Sequence, residues 1–227
     1  MDAQKIIITG GATRIGAAIA ERLSGFKVQI VIQYNMSKAK GELLKKKLEK
    51  KGSKIYLIKA DLRKEKDVKK IIKFAKTNMG YLDCLINNAS VFDNDKIENF
   101  NSKSWNNHLD ANLKAPAILS KEFSKHVMKG NNNIINIIDQ RVFKLTPHFF
   151  SYTLSKAGLY TMTKTSAMSF APNIRVNGIA PGPTIKNKRQ SNSHFKKQYL
   201  ATPLRRQVNI NDCLLYTSDA ADDVSSV

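Results

Sequence analysis

The run Thr9-Gly10-Gly11-Ala12-Thr13-Arg14-Ile15-Gly16, placed directly after the apolar triplet Ile6-Ile7-Ile8, constrains the fold of this chain more than any other stretch. It reads as a buried strand, a tight turn and the start of a helix. Gly10 lets the chain turn and Gly16 lets helix and strand approach closely. Amides at the helix N-terminus have no partner within the helix, and the helix dipole there favours negative charge, which is the geometry that receives a dinucleotide pyrophosphate. A glycine turn before a helix is often only a turn, so the reading depends on the residues downstream of it.

Downstream of the turn, short β-branched runs alternate regularly with longer amphipathic stretches, the pattern of βαβ units in a parallel sheet covered on both faces. Strands are expected near Lys5 to Ile8, Lys27 to Gln33, Lys54 to Lys59, Cys84 to Asn87, Asn133 to Ile138 and Ile174 to Ile179. Helices are expected over Ile15 to Ser24, Ser37 to Lys51, Lys64 to Met79, Ser102 to Leu113, Pro116 to Met128 and Ser151 to Phe170. The fold class is therefore α/β: a Rossmann-type, doubly wound parallel β-sheet in a three-layer α/β/α arrangement, with its ligand crevice at the strand C-terminal ends. With 227 residues, 42% of them hydrophobic, one sizeable core can form, and a single domain over residues 1–212 is expected.

The formal charge of +20 raises the question of nucleic acid. Lysines dominate over arginines and fall on helix faces such as Lys38 to Lys51 and Lys64 to Lys76, where solvated charge is ordinary. A positive field suited to an anionic cofactor or substrate is the better reading, and no nucleic-acid partner is expected. The first strand comes almost at once after the N-terminus, and no apolar run approaches the roughly 18 residues that span a bilayer, so a cytoplasmic protein with no membrane partner is expected. Cys84 and Cys213 form no metal-ligand spacing, nor do His108, His126, His148 and His194, and no metal site is expected. The last stretch breaks the pattern: all 38 Lys and Arg precede Gln207, and the ending is acidic and small. Residues 213–227 read as either a disordered acidic tail or, preferably, as non-native sequence after a truncated domain.

Tyr152 and Lys156 lie four apart on an expected helix and so project from one face. In a lysine-rich chain that spacing alone means little. Order gives it meaning: the glycine turn, Ala60-Asp61-Leu62 after the third strand, Asn87-Asn88-Ala89 after the fourth, then Asn112, Tyr152/Lys156 and finally Pro181-Gly182 after the sixth. Each falls where a strand end meets the crevice.

Together these motifs resemble the short-chain dehydrogenase/reductase family from Lys5 to about Asp212. The resemblance implies that Gly10, Thr13, Arg14, Ile15 and Gly16 cradle the cofactor phosphates. It implies that Asp61 and the Leu62 amide receive the adenine and that Asn88, Ala89 and Ser90 line the nucleotide channel. Pro181, Gly182 and Thr184 complete the cofactor set. Tyr152 would be the acid that protonates substrate as hydride arrives. Lys156 would hold the nicotinamide ribose and lower the phenol pKa, and Asn112 would anchor a proton-relay water. A phenol near pKa ~10 needs such a cation to work at neutral pH. Taken singly, Asp61 also reads as a helix N-cap and Asn112 as a helix end.

Two departures from the general family pattern point to its pteridine reductase branch. Arg14 stands where the second motif glycine is usual, and Asp139 stands where a serine is usual, thirteen residues before Tyr152. The stretch Asn88-Ala89-Ser90-Val91-Phe92 also resembles that branch, with Ser90 near the cofactor and Phe92 placed to stack a flat pterin; the alternative for Phe92 is a core aromatic. A carboxyl beside a tyrosine and a reducible ring can act in proton transfer, which suits a C=N bond whose nitrogen must gain a proton. Substrate contacts are thus assigned to Ser90, Phe92, Asp139 and Tyr152.

The second strand ends in Gln33-Tyr34-Asn35-Met36-Ser37, without an acid to bind a ribose 2′-hydroxyl, while Arg14 is available for a 2′-phosphate. NADPH is expected, with Tyr34 and Ser37 near its phosphate; Ser37 reads equally as an N-cap. The polar stretch after Thr184, to about Ser193, resembles the family's mobile substrate loop. The resemblance also implies a homodimer or homotetramer at full length, and a last family strand that this chain lacks. An NADPH-dependent reductase of a dihydropterin or dihydrofolate is the expected function. The alternatives are a carbonyl or 3-oxoacyl-carrier reductase and a catalytically silent NADPH-binding fragment.

Overall fold

The computed structural model describes residues 3–128, 130, 132–187 and 190–210; the expected tail at 213–227 lies outside them. Strands β1 (Gln4–Ile8), β2 (Val28–Tyr34), β3 (Lys54–Lys59), β4 (Cys84–Asn87), β5 (Asn132–Ile137) and β6 (Ile174–Ile179) alternate with helices α1 (Arg14–Leu23), α2 (Lys38–Glu49), α3 (Glu65–Met79), α4 (Ser102–Leu109), α5 (Ala115–Phe123) and α6 (Phe150–Phe170), and α7 (Asn192–Leu200) comes last. All strand pairings are parallel, in the order β3-β2-β1-β4-β5-β6. The order reverses between β1 and β4, and a crevice opens there outside the strand C-termini.

Side chains alternate across each strand, and both faces of the sheet are covered. Ile7, Val31, Leu85 and Ile134 face one core with Ile71, Leu119 and Phe123. Ile6, Ile8, Ile30, Ile32 and Ile135 face the other with Ile19 and Leu48. This two-sided burial explains why the strands read as continuous apolar runs.

Three differences from expectation have local causes. The two expected helices around residue 114 form one rod, with a π-helical turn over Asp110–Lys114 in which the Ala115 amide bonds to the Asp110 carbonyl. Pro116 lacks the N–H that an α-helix would direct at the Asn112 carbonyl, and its ring would crowd that carbonyl; the wider turn relieves both problems. Helix α5 then ends at Phe123, where the Ser124 hydroxyl bonds to the Lys121 carbonyl at 2.9 Å. Helix α7 was not expected at all. Ser191 caps it by accepting the His194 amide at 3.1 Å, and Phe195 is its buried residue. Among the described residues no helix is long and apolar enough to cross a membrane.

Candidate active site

The reversal point is fastened by buried polar side chains. Thr9, at the end of β1, uses its hydroxyl to accept the Asn88 and Ala89 amides, both at 3.0 Å. Asn88 returns its side-chain amide to the Thr9 carbonyl at 2.8 Å and the Gly10 carbonyl at 3.3 Å. Gln33 accepts the Gly10 amide at 2.8 Å and donates to the Ala60 carbonyl at 2.7 Å, tying the ends of β1, β2 and β3 together. The turn has no room for side chains: a Cβ at Gly16 would lie 2.5 Å from both the Gly10 carbonyl and the Asn88 amide nitrogen. Gly10 also has a φ of +61°, a left-handed conformation that favours glycine. Arg14 opens α1 at a φ of 56°.

A cleft of about 1050 Å³ runs from this turn across the sheet. Gly10, Thr13, Arg14, Ile15, Gly16, Asp61, Leu62, Asn88, Ala89, Ser90, Phe92, Asp139, Tyr152, Lys156, Pro181, Gly182 and Thr184 all line it. Most of the residues proposed from sequence are therefore brought together.

At the far end, the Tyr152 hydroxyl donates to Asp139 Oδ2 at 2.6 Å. Asp139 Oδ1 accepts the Arg141 amide at 2.8 Å, capping a short 3₁₀ turn over Gln140–Val142. The cap holds the carboxylate still and leaves its second oxygen facing the phenol. Burial, together with the charge of Asp139 and the bond to it, drives the Tyr152 pKa well above the ordinary tyrosine value; Arg141 and the nearby Ser90 hydroxyl pull the other way. Lys156 is buried and donates to the Ile137 carbonyl at 2.7 Å. Its burial lowers the ammonium pKa to about 8, against the opposing pull of Asp139. Its Nζ stands 5.9 Å from the centre of the Tyr152 ring. Burial is the first cause of the raised phenol pKa and the touching Asp139 carboxylate the second.

Phe92 lies with its ring centre 4.6 Å from that of Tyr152, edge to face, and is backed by Phe149 in a parallel stack at 4.3 Å. Arg141 covers the Phe149 ring at 4.5 Å. Phe92 is thus a wall of the cleft rather than a core residue.

Other positions differ from expectation. Tyr34 is 8% exposed and packs in the core with Ile32 and Leu44: side chains alternate along β2, so Gln33 faces the cleft and Tyr34 faces away. Ser37 stands at the N-cap of α2, with Asn35 and Met36 lining the cleft in its place. Asn112 is fully buried; it pairs with both the amide and carbonyl of Val91, at 2.8 and 2.9 Å, and donates to Ser155 at 3.0 Å. Its side chain holds the segment after β4 and is not directed at the cleft. Asp61 accepts two bonds from the Arg63 guanidinium, at 2.9 and 2.7 Å, and a third from the Arg63 amide at 3.1 Å, and this pairing lowers its pKa. Arg14 donates to the carbonyls of Ile185 and Lys186, both at 3.0 Å, tying the glycine turn to the loop after β6. Gln33, Arg63, Arg141, Phe195 and Gln198 also line the cleft and were not singled out from sequence. Only Gln33 had a signal, its position at a strand end one residue before Tyr34.

A glycine cradle facing a phenol and a buried lysine has the parts of a hydride-transfer site, which places the molecule among the dinucleotide-dependent oxidoreductases. The chain belongs to the short chain dehydrogenase family, which it matches over residues 4–197. It is 31% identical over 196 residues to "Glucose 1-dehydrogenase 2" of Bacillus subtilis, covering 85% of this chain and 75% of that protein. Among solved structures it resembles FolM alternative dihydrofolate reductase 1 from Brucella canis, complexed with NADP, at 38% identity and a TM-score of 0.92, over 98% of this chain and 88% of that one. The Brucella suis protein of the same name, also in complex with NADP, gives 38% identity and a TM-score of 0.89, over 95% and 88% of the two chains.

Proposed function

We propose that this chain is an NADPH-dependent reductase of a flat, C=N-containing ring of the dihydropterin or dihydrofolate kind. The observation that carries the reading is the Tyr152–Asp139 hydrogen bond at 2.6 Å beneath the Phe92 wall. A serine at position 139 would offer a ketone oxygen only a hydrogen bond, whereas a carboxylate bonded to the phenol makes a pair that can move a proton. The similarity to the two Brucella dihydrofolate reductases supports the same substrate class.

The residues present fit the cofactor. Gly10 and Gly16 leave the turn open to phosphates at the start of α1, where partial positive charge accumulates. No acid stands at the end of β2, where Asn35 and Met36 line the cleft, and the Arg14 cation is at hand for a 2′-phosphate. Bound NADPH supplies the hydride. Lys156 orients the ribose side of the site from its anchor on the Ile137 carbonyl. Phe92 holds the substrate ring flat, and Tyr152, which its surroundings keep protonated at neutral pH, gives its proton to the ring nitrogen. The phenolate left behind takes a fresh proton from solvent, passed on through Asp139 Oδ2, which touches the phenol oxygen.

NADPH consumption by the purified chain with a 7,8-dihydropterin and, separately, an acetoacetyl thioester tests this. Pterin turnover that is lost in Tyr152→Phe is the expected result. Thioester turnover alone would replace the reading with a carbonyl reductase, and silence with both would replace it with a non-catalytic binding protein.

A further inference from the structure

Behind the Tyr152 and Phe92 rings lies a buried polar chain that the proposed chemistry does not use. Asp95, Ser151 and His108 are 5%, 0% and 0% exposed. They come from three places: the segment after β4, the first turn of α6 and the last turn of α4. Ser151 gives its amide to Asp95 Oδ1 at 3.0 Å and its hydroxyl to Asp95 Oδ2. His108 Nδ1 meets the Ser151 hydroxyl oxygen at 2.7 Å, and His108 Nε2 accepts the Asp93 amide at 3.0 Å.

The direction of every bond is fixed by its ends. A backbone amide can only donate, so Nε2 carries no proton and the neutral ring carries its proton on Nδ1. Nδ1–H then donates to Ser151, and the serine hydroxyl is left to donate to Asp95, an acceptor at both oxygens. Burial lowers the His108 pKa, in keeping with a neutral ring, and the Ser104 carbonyl also faces it as an acceptor. Two more bonds run in parallel: the Phe149 amide to Asn94 Oδ1 and the Phe150 amide to the Asp95 carbonyl, both at 3.1 Å.

We propose that Asp95, Ser151 and His108 form a one-way relay of positioning residues. It bolts the Phe92-bearing segment to the start of α6 and so sets how the Phe92 ring lies against Tyr152, 4.6 Å between ring centres, and with it the wall that a flat substrate meets. The proposal rests on the reductase reading above. Ser151 directly precedes Tyr152, and Asp93 comes directly after Phe92, so slack in the relay reaches both walls of the site. The cofactor cradle at Gly10 and Gly16 is fastened separately by Thr9, Asn88 and Gln33 and should not feel it.

Asp95→Asn is the sharpest test, because it keeps shape but puts a donor where the chain needs an acceptor. Restoring one bond then forces a donor against a donor elsewhere. For the NADPH-loaded enzyme, the expected result is a kcat for dihydropterin lower by about tenfold to a hundredfold, the scale of a misplaced reacting group. KM should rise and the NADPH Kd stay within twofold. Ser151→Ala, which removes the hydroxyl without adding a donor, should move the same constants in the same direction and serves if Asp95→Asn does not fold. Unchanged kcat and KM in both variants, or NADPH affinity falling in step with kcat, would overturn the proposal. Histidine ¹⁵N spectra of the wild type give a readout that needs no substrate, with His108 assigned by its loss in His108→Gln. A proton on Nδ1 is expected, and a proton on Nε2 or a cationic ring overturns the relay even where pterin is reduced. An Nδ1–H signal in an enzyme that ignores pterins would instead overturn the substrate reading and leave the relay in place.

Discussion

The two sides of the cleft are fastened to different depths. On the glycine-turn side, Thr9, Gln33 and Asn88 join strand ends through buried or half-buried hydrogen bonds, and a Cβ at Gly16 has no space. On the other side, the loop after β6 combines exposed bonds, Arg14 to Ile185 and Lys186 and Lys186 to Asn192 at 2.7 Å, with the half-buried bond from Gln207 to the Thr184 carbonyl at 2.6 Å. Buried polar groups are costly to leave unpaired, whereas exposed ones exchange readily with water. The glycine-turn side is therefore the more deeply fastened of the two, and on the loop side the Arg14 and Lys186 bonds are the ones that exchange most readily with water.

The largest effect that would break this contrast comes from Gly16→Val. Overpacking of ~1–3 kcal/mol at the glycine turn should weaken NADPH binding about tenfold to a hundredfold, measured by fluorescence titration. Binding within twofold of wild type would show that the turn yields.

The next effect concerns pH. The Lys156 pKa in the folded protein, about 8, lies below the ordinary 10.5. Below pH 8 the ammonium is charged and the cost of burying it is fully present; stability gained by shedding the proton grows between about 8 and 10.5. The charge that orients the cofactor is lost over the same rise, so kcat/KM, which reports the free enzyme, should fall as pH climbs through about 8. Lys156→Arg, whose guanidinium stays charged, should move that limb upward whatever its absolute rate. A limb that stays in place would assign it to another group.

The smallest effect belongs to the loop. Arg14→Ala removes two exposed bonds and should speed proteolysis within residues 183–187 and raise the KM for NADPH by roughly threefold to tenfold, on ~0.5–1.5 kcal/mol per hydrogen bond. Unaltered proteolysis would mean that other contacts hold the loop.

The same contrast explains what could be read from the sequence. Strands buried on both faces, such as Ile6-Ile7-Ile8 and Ile134-Ile135, announce themselves as apolar runs, and the observed edges fall within one residue of expectation. The motif residues at their C-termini meet in one cleft because the doubly wound topology puts all those ends on one side. The π-turn at Asp110–Lys114 was hidden because Pro116 reads equally well as the first turn of a new helix. Helix α7 was hidden because its face toward the protein is little more than Phe195, within a polar stretch. Tyr34 was misplaced by one step of strand parity, and the task of Gln33 was missed with it. The Asp95–Ser151–His108 chain joins three elements distant in sequence, and no spacing rule connects them.

The proton pair is the centre of the functional account, and Asp139→Ser tests it most directly. Serine also caps helical turns, so this variant keeps the Arg141 amide bonded and removes the oxygen that touches Tyr152. The account predicts that kcat for a 7,8-dihydropterin falls about a hundredfold or more while NADPH affinity is unchanged. Pterin reduction at the wild-type rate in Asp139→Ser would contradict it.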